Sequence, residues 1–164
     1  MSKAHKLRVL GIDPGLRVAG YGCVTFDRVD PRLSIVEAGA IKLDTKKSVS
    51  YRLHQLWVDI TNIISDLSPD IVAVETVFSH ARQVGTAITM GHARGVILLA
   101  IEEAGLPLVE LTPAEVKKSV TGNGRASKSQ IQQAVLHTLM LNEVPEPSDV
   151  ADALAIGITG AMRY

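Results

Sequence analysis

The regular structure of the chain opens with Leu7-Arg8-Val9-Leu10-Gly11-Ile12-Asp13-Pro14-Gly15. This stretch is almost entirely apolar up to Asp13, and the Pro-Gly pair then ends it. A short apolar run closed by a turn signal indicates a strand that is buried on both faces of a sheet. We therefore expect a central strand whose last residue, Asp13, lies at the edge where sites in α/β sheets are usually built.

Outward from this strand, the pattern of polarity predicts an α/β fold. Residues 17–26 and 33–43 alternate in polarity around a turn at Asp30-Pro31, which predicts two more strands and an antiparallel meander. The remaining elements are predicted as a helix over 51–67, a strand over 71–75, a helix over 86–104, a strand over 106–111, and helices beginning near residues 113, 128 and 148. The order βββαβαβααα indicates a mixed sheet with helices packed on it.

The length and composition fit a single globular domain over residues 1–164. The 164 residues are 46% apolar and 21% charged, and no low-complexity linker divides them. No apolar run approaches the roughly 20 residues of a membrane helix, and the first residues lack the cleavage region of a signal peptide. The single cysteine, Cys23, excludes an internal disulfide. We expect a cytoplasmic protein without membrane association.

The net charge of the chain limits which kinds of binding partner are expected. The formal net charge is +0, which counts against a generic polyanion binder because phosphate contacts usually leave a basic excess. If the protein binds DNA, its positive charge must therefore be local, and the alternative is a set of scattered solvated side chains. The candidate patches are Lys42, Lys46 and Lys47; Arg82, His92 and Arg94; and Lys117, Lys118, Arg125 and Lys128.

Four acids occur where an isolated charge is costly to place. Asp13 and Glu75 each end a strongly apolar strand, while Asp149 and Asp152 lie three apart near the start of a helix that is apolar nearly all round. The alternatives are strand-end acids that face solvent, and helix acids that favour the positive end of the dipole. The dipole explains Asp149 well and Asp152 less well, because Asp152 lies one turn further along.

Acids gathered at one place repel each other unless cations neutralise them. Hard divalent cations take oxygen ligands, and Mg²⁺ suits a few carboxylates with water and substrate phosphate. Two such ions about 4 Å apart promote phosphoryl transfer. No cysteine or paired-histidine spacing suggests zinc. The residues alone therefore favour a Mg²⁺ or Mn²⁺ phosphotransfer or phosphohydrolase site.

Five groups of motifs together resemble RuvC-type Holliday junction resolvases. They cover essentially the whole chain in order: residues 11–15 with 20–22, residues 74–78, residues 91–96, residues 116–122 with 127–130, and residues 149–156. A lone Gly-Ile-Asp-Pro-Gly is a weak signal, whereas the set is highly specific.

The resemblance implies a fold, an activity and partners. The fold is expected to be ribonuclease-H-like, with a five-stranded mixed sheet ordered 3-2-1-4-5 and flanked by helices. The expected protein is a homodimeric endonuclease of recombination and repair, which resolves four-way DNA junctions by paired symmetric nicks and leaves 5′-phosphate and 3′-hydroxyl ends. The branch-migration proteins RuvA and RuvB are the implied partners. Two Mg²⁺ ions per subunit, which Mn²⁺ can replace, are expected on Asp13, Glu75, Asp149 and Asp152.

The resemblance also implies roles for basic and aromatic residues. Lys117 and Lys128 match functional lysines that hold the scissile phosphate, a role that suits an ammonium group. Lys118 and Arg125 are further candidates for DNA contacts, although Lys118 also reads as an ordinary exposed helix lysine.

The segment after Glu75 departs from the family pattern. Phe78 matches an aromatic residue that stacks on bases, and its alternative is a core phenylalanine. The segment 79–87 is one residue longer than the Asn-x-x-Ser-type segment that family members carry at this place. Arg82 is the expected phosphate contact in this segment.

Two rival functions remain open on the sequence. Actin-like ATPases and sugar kinases share the Gly-x-Asp-x-Gly opening, but they need a second phosphate-binding repeat and a longer chain. The other rival is a non-catalytic junction-binding module of the same fold, and retention of all four acids argues against it.

Overall fold

A five-stranded mixed sheet forms the centre of the computed structural model, which describes residues 6–77 and 84–164. The strands are β1 (Leu7–Asp13), β2 (Val18–Asp27), β3 (Arg32–Lys42), β4 (Ile71–Glu75) and β5 (Leu108–Leu111). The helices are α1 (Val49–Leu67), α2 (Val84–Glu103), α3 (Pro113–Thr121), α4 (Lys128–Thr138) and α5 (Ser148–Arg163). The predicted element order and the strand order β3-β2-β1-β4-β5 are both confirmed.

The strand pairing brings the ends of β1 and β4 together. β1 runs antiparallel to β2 and parallel to β4, with Ile12 opposite Val74 in the parallel pair. Asp13 and Glu75 are the next residues on their strands, so both acids leave the sheet at the same edge. The prediction that they lie on adjacent central strands is confirmed.

Both faces of β1 are buried, as its apolar sequence predicts. Val9 belongs to a core formed with α3, α4 and α5, whereas Leu10 belongs to a second core formed with α1 and α2. Successive side chains on a strand point to opposite faces, so one apolar run supplies both cores. The sheet is therefore a rigid, helix-covered platform beneath the acids at its edge.

Glycines let α5 lie directly on the sheet. A Cβ added at Gly11 would overlap the Ala153 carbonyl oxygen and the Gly157 backbone nitrogen, and one at Gly20 would overlap the Asp149 carbonyl oxygen. Gly20 is the pairing partner of Asp13 on β2. This close approach brings the beginning of α5, with its two acids, over the end of β1.

The helix α2 is strongly apolar, yet part of its surface is exposed. By length and composition alone α2 could cross a membrane, with a window of mean hydropathy 1.5 that is 22% buried. His92 and Arg94 interrupt its apolar residues, so the sequence has no continuous apolar run here. Core helices of soluble proteins have the same composition, so this property carries little weight for membrane insertion. Ala93 and Ile97 are fully buried, while Ile88 and Leu99 on the same helix are exposed.

Candidate active site

Asp13 is the most strongly perturbed acid at the sheet edge. Its pKa is raised well above the usual value, first by burial and then by the neighbouring charges of Asp152, Glu75 and Asp149. Lys128 acts in the opposite direction. A carboxyl group held in this way is costly to ionise without a compensating cation. The three neighbours named here are the other acids singled out in the sequence, so the fold does gather all four around one place.

Glu75 shares this environment. Burial and then the charge of Asp152 raise its pKa to about 7, and Lys117 acts to lower it. Glu75 is the last residue of β4, and its partner in the neighbouring strand is Leu111. A carboxyl group with a pKa near neutrality, inside a cleft and beside other acids, is typical of a functional site.

Asp152 is paired with a lysine. The Lys128 Nζ atom lies 3.2 Å from Asp152 Oδ2, and the two side chains are 59% and 25% exposed. Burial raises the pKa of Asp152, and Lys128 offsets part of that effect. Lys128 occupies the first position of α4, where a positive charge opposes the helix dipole. Helix stability therefore does not account for this lysine, whereas its pairing with Asp152 does.

Capping interactions fix the two helices that carry the lysines. The Ser127 and Gln130 side chains each accept a hydrogen bond from the other residue's backbone N–H at the start of α4. Thr112 and Glu115 form the same reciprocal arrangement at the start of α3. The residues Thr112-x-x-Glu115 and Ser127-x-x-Gln130 have the spacing typical of such capping boxes, and these helices begin where the sequence predicts. The beginnings of the two helices that carry the lysines are therefore well defined.

One cavity unites the central residues. It has a volume of about 250 Å³ and is lined by three acids and two lysines, with four mainly apolar residues completing its wall. Its charged lining residues are Asp13, Glu75, Asp152, Lys117 and Lys128, and the others are Pro113, Val116, Ile131 and Ala155. Such a site offers carboxylate oxygens for cations and ammonium groups for an anion. This combination fits phosphate chemistry at a metal centre.

Asp149 faces a neighbouring groove. That groove, of about 720 Å³, is lined by Asp13, Asp149, the loop 14–18 and the beginning of α2. Asp13 thus borders both depressions, with Asp152 on one side and Asp149 on the other. Asp149 and Asp152 therefore border different depressions, although both lie close enough to Asp13 to raise its pKa.

Two of the remaining predicted DNA contacts, Lys118 and Arg125, lie outside the acidic cavity. Lys118 lines a different groove together with Ser119 and Met162. Arg125 is exposed in the connection between α3 and α4, and it does not line the cavity that holds the acids. Phe78 and Arg82 lie outside the described residues, so their predicted roles stay predictions.

Arg94 occupies a position that its sequence context did not reveal. The sequence suggested a cation available for DNA, but the guanidinium is engaged within the protein. Its Nε–H donates to the Glu75 carbonyl oxygen at 3.2 Å, and its Nη2 pairs with the Glu110 carboxylate. The sequence feature that could have indicated a partner for Arg94 is Glu110, an acid in an otherwise apolar strand.

The donor set determines which metal fits. Within residues 6–77 and 84–164, no three His, Cys, Asp or Glu side chains form a ready-made metal cage. Asp13, Glu75 and Asp152 instead have raised pKa values, first because they are desolvated and then because neighbouring acids repel them. A divalent cation relieves both penalties, and an all-oxygen donor set suits a hard ion such as Mg²⁺. The residues present therefore fit a hard divalent metal ion.

Comparison with known proteins gives one consistent result. The family model described as "Crossover junction endodeoxyribonuclease RuvC" matches residues 9–160. A relative of that description from Rhodopirellula baltica is 49% identical over 152 residues, which cover 93% of this chain and 84% of the relative. The solved structure of Thermus thermophilus RuvC has a TM-score of 0.85 at 33% identity, covering 94% of this chain and 93% of that one. T. thermophilus RuvC in complex with a Holliday junction substrate has a TM-score of 0.84 at 30% identity, with the same coverage.

Proposed function

The chain belongs to the RuvC family of crossover junction endodeoxyribonucleases, and on that premise we propose that the cavity around Asp13 cuts four-way (Holliday) DNA junctions. The protein is a divalent-metal-dependent nuclease of recombination and repair, as its family is. The observation that carries the proposal is the meeting of three acids and two lysines in one cavity at the sheet edge.

The acids are assigned to Mg²⁺, which Mn²⁺ can replace. Asp13 borders both the cavity and the adjoining groove, so it is placed to contribute to two ion sites. With Asp13, Glu75 and Asp152 would hold an ion at the cavity, and Asp149 would contribute from the groove. When bound, a pair of such ions neutralises the carboxylates, activates water and stabilises the leaving oxygen. Asp149 is the most replaceable of the four, since it does not line the cavity.

The lysines are assigned to the scissile phosphate. Lys117 and Lys128 line the same cavity as the acids and present the only ammonium groups among its lining residues. Asp152 holds the Lys128 ammonium at the cavity, where it can bind a phosphate oxygen and stabilise charge that develops there. Cleavage leaves 5′-phosphate and 3′-hydroxyl ends, which a ligase can rejoin.

Paired nicking requires two copies of the site, and α2 supports a homodimer. Ile88 and Leu99 are 56% and 52% exposed on this strongly apolar helix. Among the described residues, no atom beyond the helix's own nearby backbone lies within 4 Å of where a Cβ would stand at Gly91 or Gly95, so this part of α2 offers space for a second copy. The branch-migration proteins RuvA and RuvB are proposed as further partners, and action on chromosomal DNA would place the enzyme in the cytoplasm.

The test compares DNA shapes of the same sequence. A synthetic four-way junction, a fork and a linear duplex are incubated with the protein in Mg²⁺ or in chelator, and nick positions are mapped on every strand. We expect symmetric paired nicks in the junction alone, only with Mg²⁺, and products that ligase seals. Junction binding without nicking would instead identify a non-catalytic binding module.

A further inference from the structure

Arg94 joins α2 to the ends of β4 and β5, immediately behind the acidic cavity. We propose that Arg94 is a positioning residue for cleavage, which fixes the end of β4 so that Glu75 is presented to the metal site. The inference rests on the function proposed above. It concerns a residue that lines neither the cavity nor the adjoining groove.

The contacts of the guanidinium define its role. The Arg94 Nε–H donates to the Glu75 carbonyl oxygen at 3.2 Å, while Nη2 pairs with the Glu110 carboxylate. The Arg94 side chain is 18% exposed, although its partner Glu110 is 52% exposed. A planar guanidinium that bonds two acceptors at once fixes their relative position more closely than a single ammonium can.

The end of β4 is held by strand pairing on one side only. Pairing between β1 and β4 stops at Ile12 and Val74, so Glu75 has a sheet neighbour only on the β5 side. On that side the Thr76 N–H donates to the Leu111 carbonyl oxygen at 2.8 Å. The Thr76 hydroxyl donates to the same oxygen at 3.3 Å. Arg94 adds a separate attachment, through the Glu75 carbonyl. Repulsion between the Glu75 and Asp152 carboxylates pushes against this geometry, and a fixed backbone resists the push.

A direct contact with DNA is the competing role for this arginine. Two of its nitrogens already bond to protein acceptors, one of them a carboxylate that would compete with phosphate. The two roles differ in what they control. A phosphate contact controls junction affinity, whereas a positioning residue controls metal binding and the cleavage rate.

The test uses Arg94→Lys, with Arg163→Lys as the matched control. Arg163 also bonds to Glu110, through the carbonyl oxygen at 3.3 Å, and to the Glu115 carboxylate at 3.2 Å, but it does not contact Glu75. Each protein is measured for thermal unfolding, for junction affinity in Ca²⁺, for single-turnover cleavage, and for binding of Mn²⁺ alone by calorimetry.

We expect Arg94→Lys to weaken Mn²⁺ binding about tenfold and to slow cleavage by about 10- to 100-fold, with junction affinity unchanged within about twofold. Arg163→Lys should match the wild type in all these measurements. In a Glu75→Gln background, Arg94→Lys should weaken Mn²⁺ binding no further, because the effect passes through Glu75. A parallel loss of junction affinity, or an undiminished effect of Arg94→Lys in the Glu75→Gln background, would overturn the proposal.

A second variant keeps the test decisive if Arg94→Lys unfolds. Glu110→Gln retains the bond to the Glu75 carbonyl but removes the charged partner of the guanidinium, so a smaller loss of Mn²⁺ binding is expected. If Glu75→Gln bound Mn²⁺ as tightly as the wild type, Glu75 would not be a metal ligand, and the proposed function itself would be refuted. A clear effect of Glu75→Gln, with none from Arg94→Lys or Glu110→Gln, would refute the positioning role alone.

Discussion

The Lys128 ammonium nitrogen lies 3.2 Å from a carboxylate oxygen of Asp152, which joins the beginning of α4 to the beginning of α5. The pair thus joins one of the acids that line the cavity to one of the lysines that line it. It keeps a cation at the acidic site, where it offsets part of the repulsion among the carboxylates.

Replacing this lysine should impair cleavage in a pH-dependent way. Lys128→Met removes a phosphate ligand, so we expect the single-turnover rate to fall by about 10²-fold or more. The lysine also lowers the pKa of Asp152, so its loss should raise that pKa and move the rising limb of the pH–rate profile to higher pH. Lys6→Met, at the opposite end of β1, serves as the control. If Lys128→Met left both the pH–rate profile and the single-turnover rate unchanged, Lys128 would have no role in cleavage.

Metal binding should depend on pH through Glu75. The pKa of this carboxyl group is raised to about 7 by burial and by Asp152, and a metal ion must displace the proton. Competition with one proton at that pKa predicts that apparent Mn²⁺ affinity increases about tenfold from about pH 6 to about pH 8. Calorimetric titration measures this increase, which Glu75→Gln should largely abolish. Equal affinity at both pH values would contradict the assignment.

Stability of the metal-free protein should respond to the same group. The folded state holds the proton on Glu75 more tightly than the unfolded state, because the pKa rises from 4.5 to about 7. The free energy of unfolding should therefore fall as pH increases between these values, by up to about 3 kcal/mol at roughly 1.4 kcal/mol per pKa unit.

Glu75→Gln supplies the matching comparison. This variant should be more stable than the wild type at about pH 8 and show little difference near pH 4, where Glu75 is protonated in both states. Urea denaturation in chelator measures both values. A destabilised variant at about pH 8 would mean that the charged carboxylate is stabilising in the folded state.

The proposed dimer makes a prediction about the exposed face of α2. Ile88→Glu places a charge on a side chain that is 56% exposed, so the subunit fold should tolerate it while a dimer contact there should not. We expect a monomer by light scattering, with loss of paired nicking. Val29→Glu, on an exposed turn residue, is the control. A dimer that survives Ile88→Glu would place the interface elsewhere.

Much of the framework could be predicted from local sequence. The apolar runs that end at Asp13 and Glu75 identified adjacent strands, since fully buried strands have a distinctive composition. The excess of apolar residues around Asp152 identified a buried helix that carries an unexplained acid. Both signals are contained within a single element, so they need no knowledge of how elements pack.

Contacts between elements could not be predicted in the same way. Arg94 was interpreted as a surface cation because charge alone does not reveal a partner on β5 or a carbonyl at the end of β4. The placement of Asp149 and Asp152 in different depressions has a similar origin. The three-residue spacing puts both on one side of α5, but the position of α5 over β1 decides which depression each acid borders.

Asp13→Asn tests the central claim most directly, because Asp13 borders both depressions and the substitution removes only its charge. The measurement is single-turnover cleavage of a four-way junction in Mg²⁺, alongside junction affinity in Ca²⁺. We predict that cleavage falls by at least about 10³-fold while affinity stays within a few-fold of the wild type. Cleavage at the wild-type rate would show that the carboxylates at this edge are not the catalytic metal site.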